Sequence, residues 1–330
     1  MNDKIAVDLA RDASGAIVHT PVMLPEVIKY LAPALQEPDS IYVDGTLGMG
    51  GHATAILQNC PAARLIGIDQ DADALAIAGK QLAPFGARAE LVRARFDELP
   101  EVLATHEIAN VSAILVDLGV SSWQIDQPER GFAYRFDAPL DMRMDDRNDL
   151  NAYRVVNEYQ PDELVRVLTR YGEEPHAKRI VRAIVSHREQ RPIETTTELV
   201  EIITEAMPAS VRYKSGGHPA KRTFQALRIE VNAELQALEN FLPAALDALA
   251  VGGRLAVLAY HSLEDRIVKQ TFAAASTDQA PRNLPIVPEA LTARMQLVTR
   301  GAKKASAEEV EANPRAASVR LRVIERVKEG

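Results

Sequence analysis

The chain has 330 residues, 47% of them hydrophobic and 25% charged, with a formal net charge of −8. That is the composition of a globular protein of about two domains, or one large domain with an insertion; it excludes disorder as the main state and a generally basic nucleic-acid binder, while leaving room for a basic patch on one face. The single cysteine, Cys60, allows no internal disulfide and suits a reducing cytosol, no apolar run approaches the ~18 residues of a membrane helix, and Asp3 and Asp8 near the start do not fit a signal peptide.

In chain order, short β-rich runs occur at 41–44, 65–69, 90–92 and 113–117, separated by helix-compatible stretches such as 72–82 and 98–105. Strand, helix, strand at this spacing predicts βαβ units and a parallel sheet buried on both faces. The rhythm stops after Asp117. A loop rich in Gly, Pro, Asp and Arg runs from 119 to about 148, followed by helical patterns at 161–171, 175–188 and 197–207. Thr195 with Glu198 predicts a capping box for the third of these. After a basic, glycine-broken stretch at 212–222, a long helical pattern spans 223–250, with a restart expected at Pro243. Gly252 and Gly253 then precede a clear strand at 254–260. Residues 318–324 alternate polar and apolar, as an exposed strand does, and 295–299 could pair with them. Residues 302–314 read as a polar, mobile loop. A sheet begun before residue 120 and completed after 252 implies an inserted helical segment at 137–221, within a domain made of 19–136 and 222–330 and preceded by an extension at 1–18.

The first chemical signal is Asp44-Gly45-Thr46-Leu47-Gly48-Met49-Gly50-Gly51-His52, directly after the first strand. Glycines there let the backbone turn tightly beside a ligand, and the helix starting near His52 aims its N-terminus at it. Asp69 ends the second strand nineteen residues after Gly50, the offset of a carboxylate that accepts from ribose hydroxyls. The loop lacks the third glycine of the dinucleotide fingerprint, and Asp44 is awkward beside a pyrophosphate. Two acids suit a ligand carrying positive charge and a ribose. They favour S-adenosylmethionine over a nicotinamide dinucleotide.

The second signal is Asp117-Leu118-Gly119-Val120-Ser121-Ser122-Trp123-Gln124 at the end of the fourth strand, where ligands bind in open α/β sheets. Further on, His261-Ser262-Leu263-Glu264-Asp265 follows the fifth strand. It reads either as a chemical group or as a helix start, with Ser262 as N-cap and Asp265 three residues on. Its spacing is not that of a zinc site, and no metal is expected.

The segments HTPV (19–22), DGTLGMGGH (44–52), DLGVSS (117–122), ERGF (129–132), PLDMRMD (139–145), YGEE (171–174), RTFQALRIEVNAEL (222–235) and HSLEDRIVK (261–269) together resemble the bacterial small-subunit ribosomal RNA (cytosine-N4)-methyltransferases of the MraW or RsmH family. The resemblance runs from about residue 19 to the C-terminus. It implies a class I S-adenosylmethionine-dependent methyltransferase sheet, Rossmann-like, with an inserted all-helical domain that recognises substrate. The implied reaction is methyl transfer to the exocyclic N4 of a cytidine in the decoding centre of 16S rRNA, in the cytoplasm. It also implies that Gly50, Gly51 and His52 form the cofactor loop, that Asp69 holds the ribose, that Phe96 lies against the adenine, and that Asp117 and Gln124 complete the pocket.

The N4 lone pair of cytosine is delocalised into the ring, so the enzyme must align N4, methyl and sulfur and accept hydrogen bonds from the amino group. The Asp/Asn/Ser-Pro-Pro-aromatic motif that many amino-methyltransferases use after the fourth strand is replaced here by Asp117-Leu118-Gly119-Val120. The acceptor is Asp117, a loop carbonyl, Ser121 or Ser122, and Asp117 is the expectation for the reacting end. Residues 176–228 hold ten Lys or Arg, five Glu and no Asp, a local +5. Lys178, Arg179 and Arg182 on one helix, and Arg212, Lys214, Lys221 and Arg222 around Gly216-Gly217, are the expected contacts to RNA phosphates. Trp123 or Tyr134 could stack on a base.

Overall fold

The computed structural model describes residues 21–208, 218–280 and 288–329. The extension at 1–18 and the Arg212, Lys214 and Gly216-Gly217 stretch lie outside the described residues. The helices are α1 (Leu24–Leu31), α2 (Gly51–Asn59), α3 (Ala72–Leu82), α4 (Leu99–Thr105), α5 (Ser122–Asp126), α6 (Ala152–Glu158), α7 (Pro161–Gly172), α8 (Ala177–Arg188), α9 (Thr196–Ala206), α10 (Lys221–Asn232), α11 (Glu234–Ala248), α12 (Ser262–Ala275) and α13 (Ala307–Ala312). The strands are β1 (Ile41–Asp44), β2 (Arg64–Asp69), β3 (Ala89–Arg93), β4 (Val111–Asp117), β5 (Leu249–Ala259), β6 (Met295–Leu297) and β7 (Arg320–Arg326).

The strands form one sheet in the order β3-β2-β1-β4-β5-β7-β6. The first five are parallel, while β7 runs antiparallel to β5 and β6 antiparallel to β7. This is an open, mostly parallel, Rossmann-like α/β sheet with an antiparallel β7-β6 extension. Its period-two alternation sorts side chains into two cores. Tyr42, Ala113, Leu115, Ala256 and Leu258 point to the face covered by α1, α2 and α3. Val43, Ile114, Val116, Leu255 and Val257 point to the face covered by α4, α11 and α12. Strand order reverses between β1 and β4, the place where parallel sheets open a crevice beyond their carboxyl ends.

The chain separates into two compact units, one made of the residues before Val120 and from Gln236 onward, the other of Val120–Leu235. The second unit extends beyond 137–221 at both ends because its apolar core recruits flanking residues. Phe132, Leu140, Met142 and Met144 pack with Leu164, Leu168, Ile180, Ile184, Ile203, Phe224 and Leu227. Asn232 stitches this core, its Oδ1 accepting from Met144 N and its Nδ2 donating to Met142 O, both at 2.8 Å. The capping box of α9 forms between Thr195 and Glu198.

Four local expectations need correction. The long helix restarts at Ala233 (φ 49°), not at Pro243, which lies inside α11. The Arg228 guanidinium bridges the break to Glu234 at 2.8 and 2.9 Å, which offsets the left-handed residue. Strand β5 begins at Leu249, before the glycine pair: Val111 pairs with Leu249 and Ala113 with Arg254, so Gly252-Gly253 bulges from the sheet. Residues 302–314 contain α13 and a bridge from Lys303 to Leu321, because Leu321 offers that segment an open strand edge. Finally, β7 is interior to the sheet, between β5 and β6, with Leu321, Val323 and Ile324 buried.

Candidate active site

The site is built at the carboxyl ends of β1, β2 and β4 in the first unit. Asp44 ends β1 with 1% exposure. Its Oδ2 accepts from the Tyr42 hydroxyl at 3.0 Å and its Oδ1 from Thr46 N at 3.3 Å. Burial pushes its carboxyl up to about 6, against the opposing pull of these hydrogen bonds. The turn that follows is tied to both neighbouring strands, Gly45 N donating to Leu115 O at 2.8 Å and Leu47 N to Ile68 O at 2.9 Å.

Two glycines are dictated by this geometry. Gly50 precedes α2 with φ 84°, a conformation that costs a residue with Cβ. Gly51 lies so close to Pro21 that a Cβ would sit 2.6 Å from its Cγ. The segment before α1 is thereby pressed against the glycine turn, where the Val22 carbonyl accepts from His52 Nε2 at 2.9 Å. A carbonyl only accepts, so Nε2 carries the proton and Nδ1 is left with a lone pair. Burial holds the ring below the usual histidine range.

Asp69 ends β2. Its Oδ2 accepts from Gly48 N at 2.7 Å and its Oδ1 from Asp71 N at 2.9 Å, so the carboxylate ties the glycine turn to the start of α3. Burial pushes it up to about 6. Phe96 follows β3, its ring edge-on to Phe241 at 5.2 Å, and its Cβ would lie 3.3 Å from a Cβ at Gly45.

Asp117 ends β4. Its backbone N donates to Thr46 Oγ1 at 2.6 Å, and its Oδ1 accepts from the Tyr260 hydroxyl at 2.8 Å. Its Oδ2 faces His52 Nδ1 at 3.8 Å, with the carboxylate side chain 25% exposed. Burial pushes Asp117 up to about 7, although the Tyr260 hydrogen bond works the other way.

Asp44, Gly50, Gly51, His52, Asp69, Phe96 and Asp117 are thus gathered around one glycine turn by adjoining strand ends. Gln124 belongs to the second unit. It is buried and closes a capping box on α5, Gln124 N donating to Ser121 Oγ at 3.1 Å and Ser121 N to Gln124 Oε1 at 3.0 Å. Tyr42, Thr46, Tyr260 and the Val22 carbonyl join the site beyond the residues that the sequence pattern singles out. The signal for Tyr260 was its place at the end of a strand beside HSLED. That motif starts a helix one residue earlier than expected: His261 is the N-cap, and Glu264 Oε2 accepts from Tyr260 N at 2.8 Å and His261 N at 3.2 Å. Asp265 is instead paired with Arg320 and Arg322.

In the second unit, Lys178, Arg179 and Arg182 are exposed on α8, opposite its buried Ile180, Val181 and Ile184. Lys221 and Arg222 are exposed in the first turn of α10, which holds no acidic residue. Arg222 also donates to Glu173 O at 2.9 Å. The Tyr134 ring stacks on His218 at 4.6 Å and meets Phe224 edge-on at 5.8 Å, a loop-anchoring role. The Arg130 guanidinium lies 5.7 Å from the Trp123 ring. Among the described residues no helix is long and apolar enough to cross a membrane.

The acids favour a ligand that is cationic at one end and rich in hydroxyls at another. Residues 16–327 match the MraW methylase family. The chain is 56% identical over 323 residues to Ribosomal RNA small subunit methyltransferase H of Cutibacterium acnes, covering 98% of this chain and 96% of that one. It is 55% identical over 311 residues to the protein of the same name from Streptomyces avermitilis (94% and 98%), and 52% over 316 residues to that from Thermobifida fusca (96% of each).

Proposed function

Because the chain belongs to the MraW methylase family, we propose that this methyltransferase carries the methyl group of S-adenosylmethionine to the exocyclic N4 of a cytidine in the decoding centre of 16S rRNA, in the cytoplasm. The observation that carries the cofactor choice is the convergence of Asp44, Asp69 and Asp117, one buried and two half-buried carboxylates around one glycine turn. Such a set repels a pyrophosphate and attracts a sulfonium and an ammonium. The rRNA substrate is supported by the names of the relatives, and the base and atom by the resemblance in sequence.

When bound, S-adenosylmethionine supplies an electrophilic methyl group on a sulfonium. Asp69 would accept from the ribose hydroxyls through the lone pairs that Gly48 and Asp71 leave free. Asp44 would offset the positive charge, and Phe96 would hold the adenine. Gly50 and Gly51 let the backbone approach the cofactor closely. At the reacting end, Asp117 Oδ2 accepts from the amino group of the base, drawing nitrogen toward the pyramidal geometry that attack requires. Positioning of this kind lowers the barrier by several kcal/mol. N4 sheds one proton for each methyl gained, and a carboxylate whose proton affinity lies near neutrality is matched to receive it.

Substrate contact falls to the second unit, the inserted domain, through Lys178, Arg182, Lys221 and Arg222. Lys221 and Arg222 stand at a helix N-terminus, where cations are unfavourable unless an anion lies nearby. RNA phosphates supply that anion.

The test is to incubate the purified protein and labelled S-adenosylmethionine with small ribosomal subunits lacking the modification, then identify the digested nucleosides by mass spectrometry. New N4-methylcytidine in the decoding-centre fragment is the expected result. Cofactor binding without any methylated nucleoside overturns the assignment of substrate.

A further inference from the structure

We propose that Tyr260 is a positioning residue of the methyl-transfer site: its hydroxyl selects which oxygen of Asp117 faces the cleft and supports that carboxylate in its charged form. The inference rests on the reading of Asp117 as the reacting-end acceptor.

The tyrosine is anchored at both ends. Pairing between β4 and β5 continues past the end of β4 through Leu118 N and Leu258 O at 3.0 Å, which brings Tyr260 alongside Asp117. Its backbone N donates to Glu264 Oε2 at 2.8 Å, and Glu264 is only 2% exposed. Its hydroxyl donates to Asp117 Oδ1 at 2.8 Å. With Oδ1 engaged and the Asp117 backbone N fixed on Thr46 Oγ1, Oδ2 is the oxygen left for a ligand. It faces His52 Nδ1, itself an acceptor, across 3.8 Å.

The charged and titratable groups around Asp117 do not perform this task. Asp44 and Tyr42 on β1 and Glu264 on α12 disfavour or do not assist a second negative charge, and His52 on α2 is held neutral by burial. Among the described residues, the side-chain donor to Asp117 is Tyr260. The phenol is itself pushed well above its usual range by burial and by Asp117, so it remains a donor at every working pH. A hydrogen bond to the ionised form favours that form.

Tyr260→Phe keeps the ring and removes only the hydroxyl. The side-chain carboxyl of Asp117 is titrated by carbon NMR in the ligand-free protein, with Asp117→Asn assigning the signal. The expected result is an upward move of the Asp117 midpoint by about one pH unit in Tyr260→Phe, a roughly tenfold smaller ionised-to-protonated ratio at a given pH. Isothermal titration with S-adenosylmethionine across pH should show the same displacement, with the affinity difference from the parent protein shrinking as pH rises. An unmoved Asp117 midpoint overturns the proposal. A protein that binds no S-adenosylmethionine at any pH counts against the cofactor reading instead, and the carboxyl titration still decides the role of Tyr260.

Discussion

His52 Nδ1 and Asp117 Oδ2 face each other at 3.8 Å, and both are acceptors, because the Val22 carbonyl holds the imidazole proton on Nε2. Where Asp117 is ionised, two facing acceptors without a donor between them are disfavoured in the free protein and satisfied by a ligand N–H. The site is therefore arranged for a group that brings hydrogens to it, an ammonium or an amino group.

Replacing Asp117 by Asn removes the carboxylate and keeps the shape. Its folded-state proton affinity, about 7, lies above the ordinary aspartate value of 3.8. The folded state then binds the proton more tightly than the unfolded state, so this group's contribution to stability is present at low pH and is lost as pH rises through about 7. Asp117→Asn should melt higher than the parent at pH 8 without ligand, with a much smaller difference at pH 4, close to the ordinary aspartate value of 3.8, and should lose methyl transfer by at least tenfold. Calorimetry at the two pH values and a methyl-incorporation assay check both halves.

Affinity for S-adenosylmethionine should rise between pH 5 and 8. Asp44 and Asp69, each pushed up to about 6, and Asp117, at about 7, must all be ionised to attract a cation. Binding at pH 6 should release protons, which shows in calorimetry as a binding heat that depends on the buffer. A binding heat independent of the buffer contradicts this account.

Gly51→Ala forces a Cβ to within 2.6 Å of Pro21 Cγ. Overpacking of this sort costs about 1–3 kcal/mol, and here it also displaces the Val22 carbonyl from His52. Thermal unfolding should report the loss of stability, and cofactor affinity should fall with it.

Charge reversal of Lys221 and Arg222 to Glu should weaken rRNA binding and leave S-adenosylmethionine binding intact. If both side chains contact phosphates, the slope of log affinity against log salt should fall by about 2. An unchanged slope removes this helix end from the RNA-facing surface.

Asn232→Ala removes the side-chain acceptor of the Met144 N–H and the side-chain donor to the Met142 carbonyl in the second unit. Unsatisfied buried groups cost about 1–3 kcal/mol each. Denaturant unfolding should show the second unit losing cooperativity first.

What the amino-acid sequence determined by itself was local. The apolar runs at β1, β2, β4 and β5, the glycine turn after Asp44 and the offset to Asp69 follow from backbone periodicity and from steric rules that act over a few residues. The break at Ala233 is not visible in local pattern because it depends on Arg228 reaching Glu234 and on Asn232 reaching Met142 and Met144. Local pattern points to Ser262 rather than His261 as the cap because it does not show that Glu264 also binds the Tyr260 backbone. Only the tertiary structure decided that Tyr260 touches Asp117, 143 residues away, that Thr46 holds Asp117 across 71, and that Val22 sets the tautomer of His52 across 30. Local propensity carries no record of which strand ends will be neighbours. Strand order and register decide that, and they arise from burying both faces of the sheet at once.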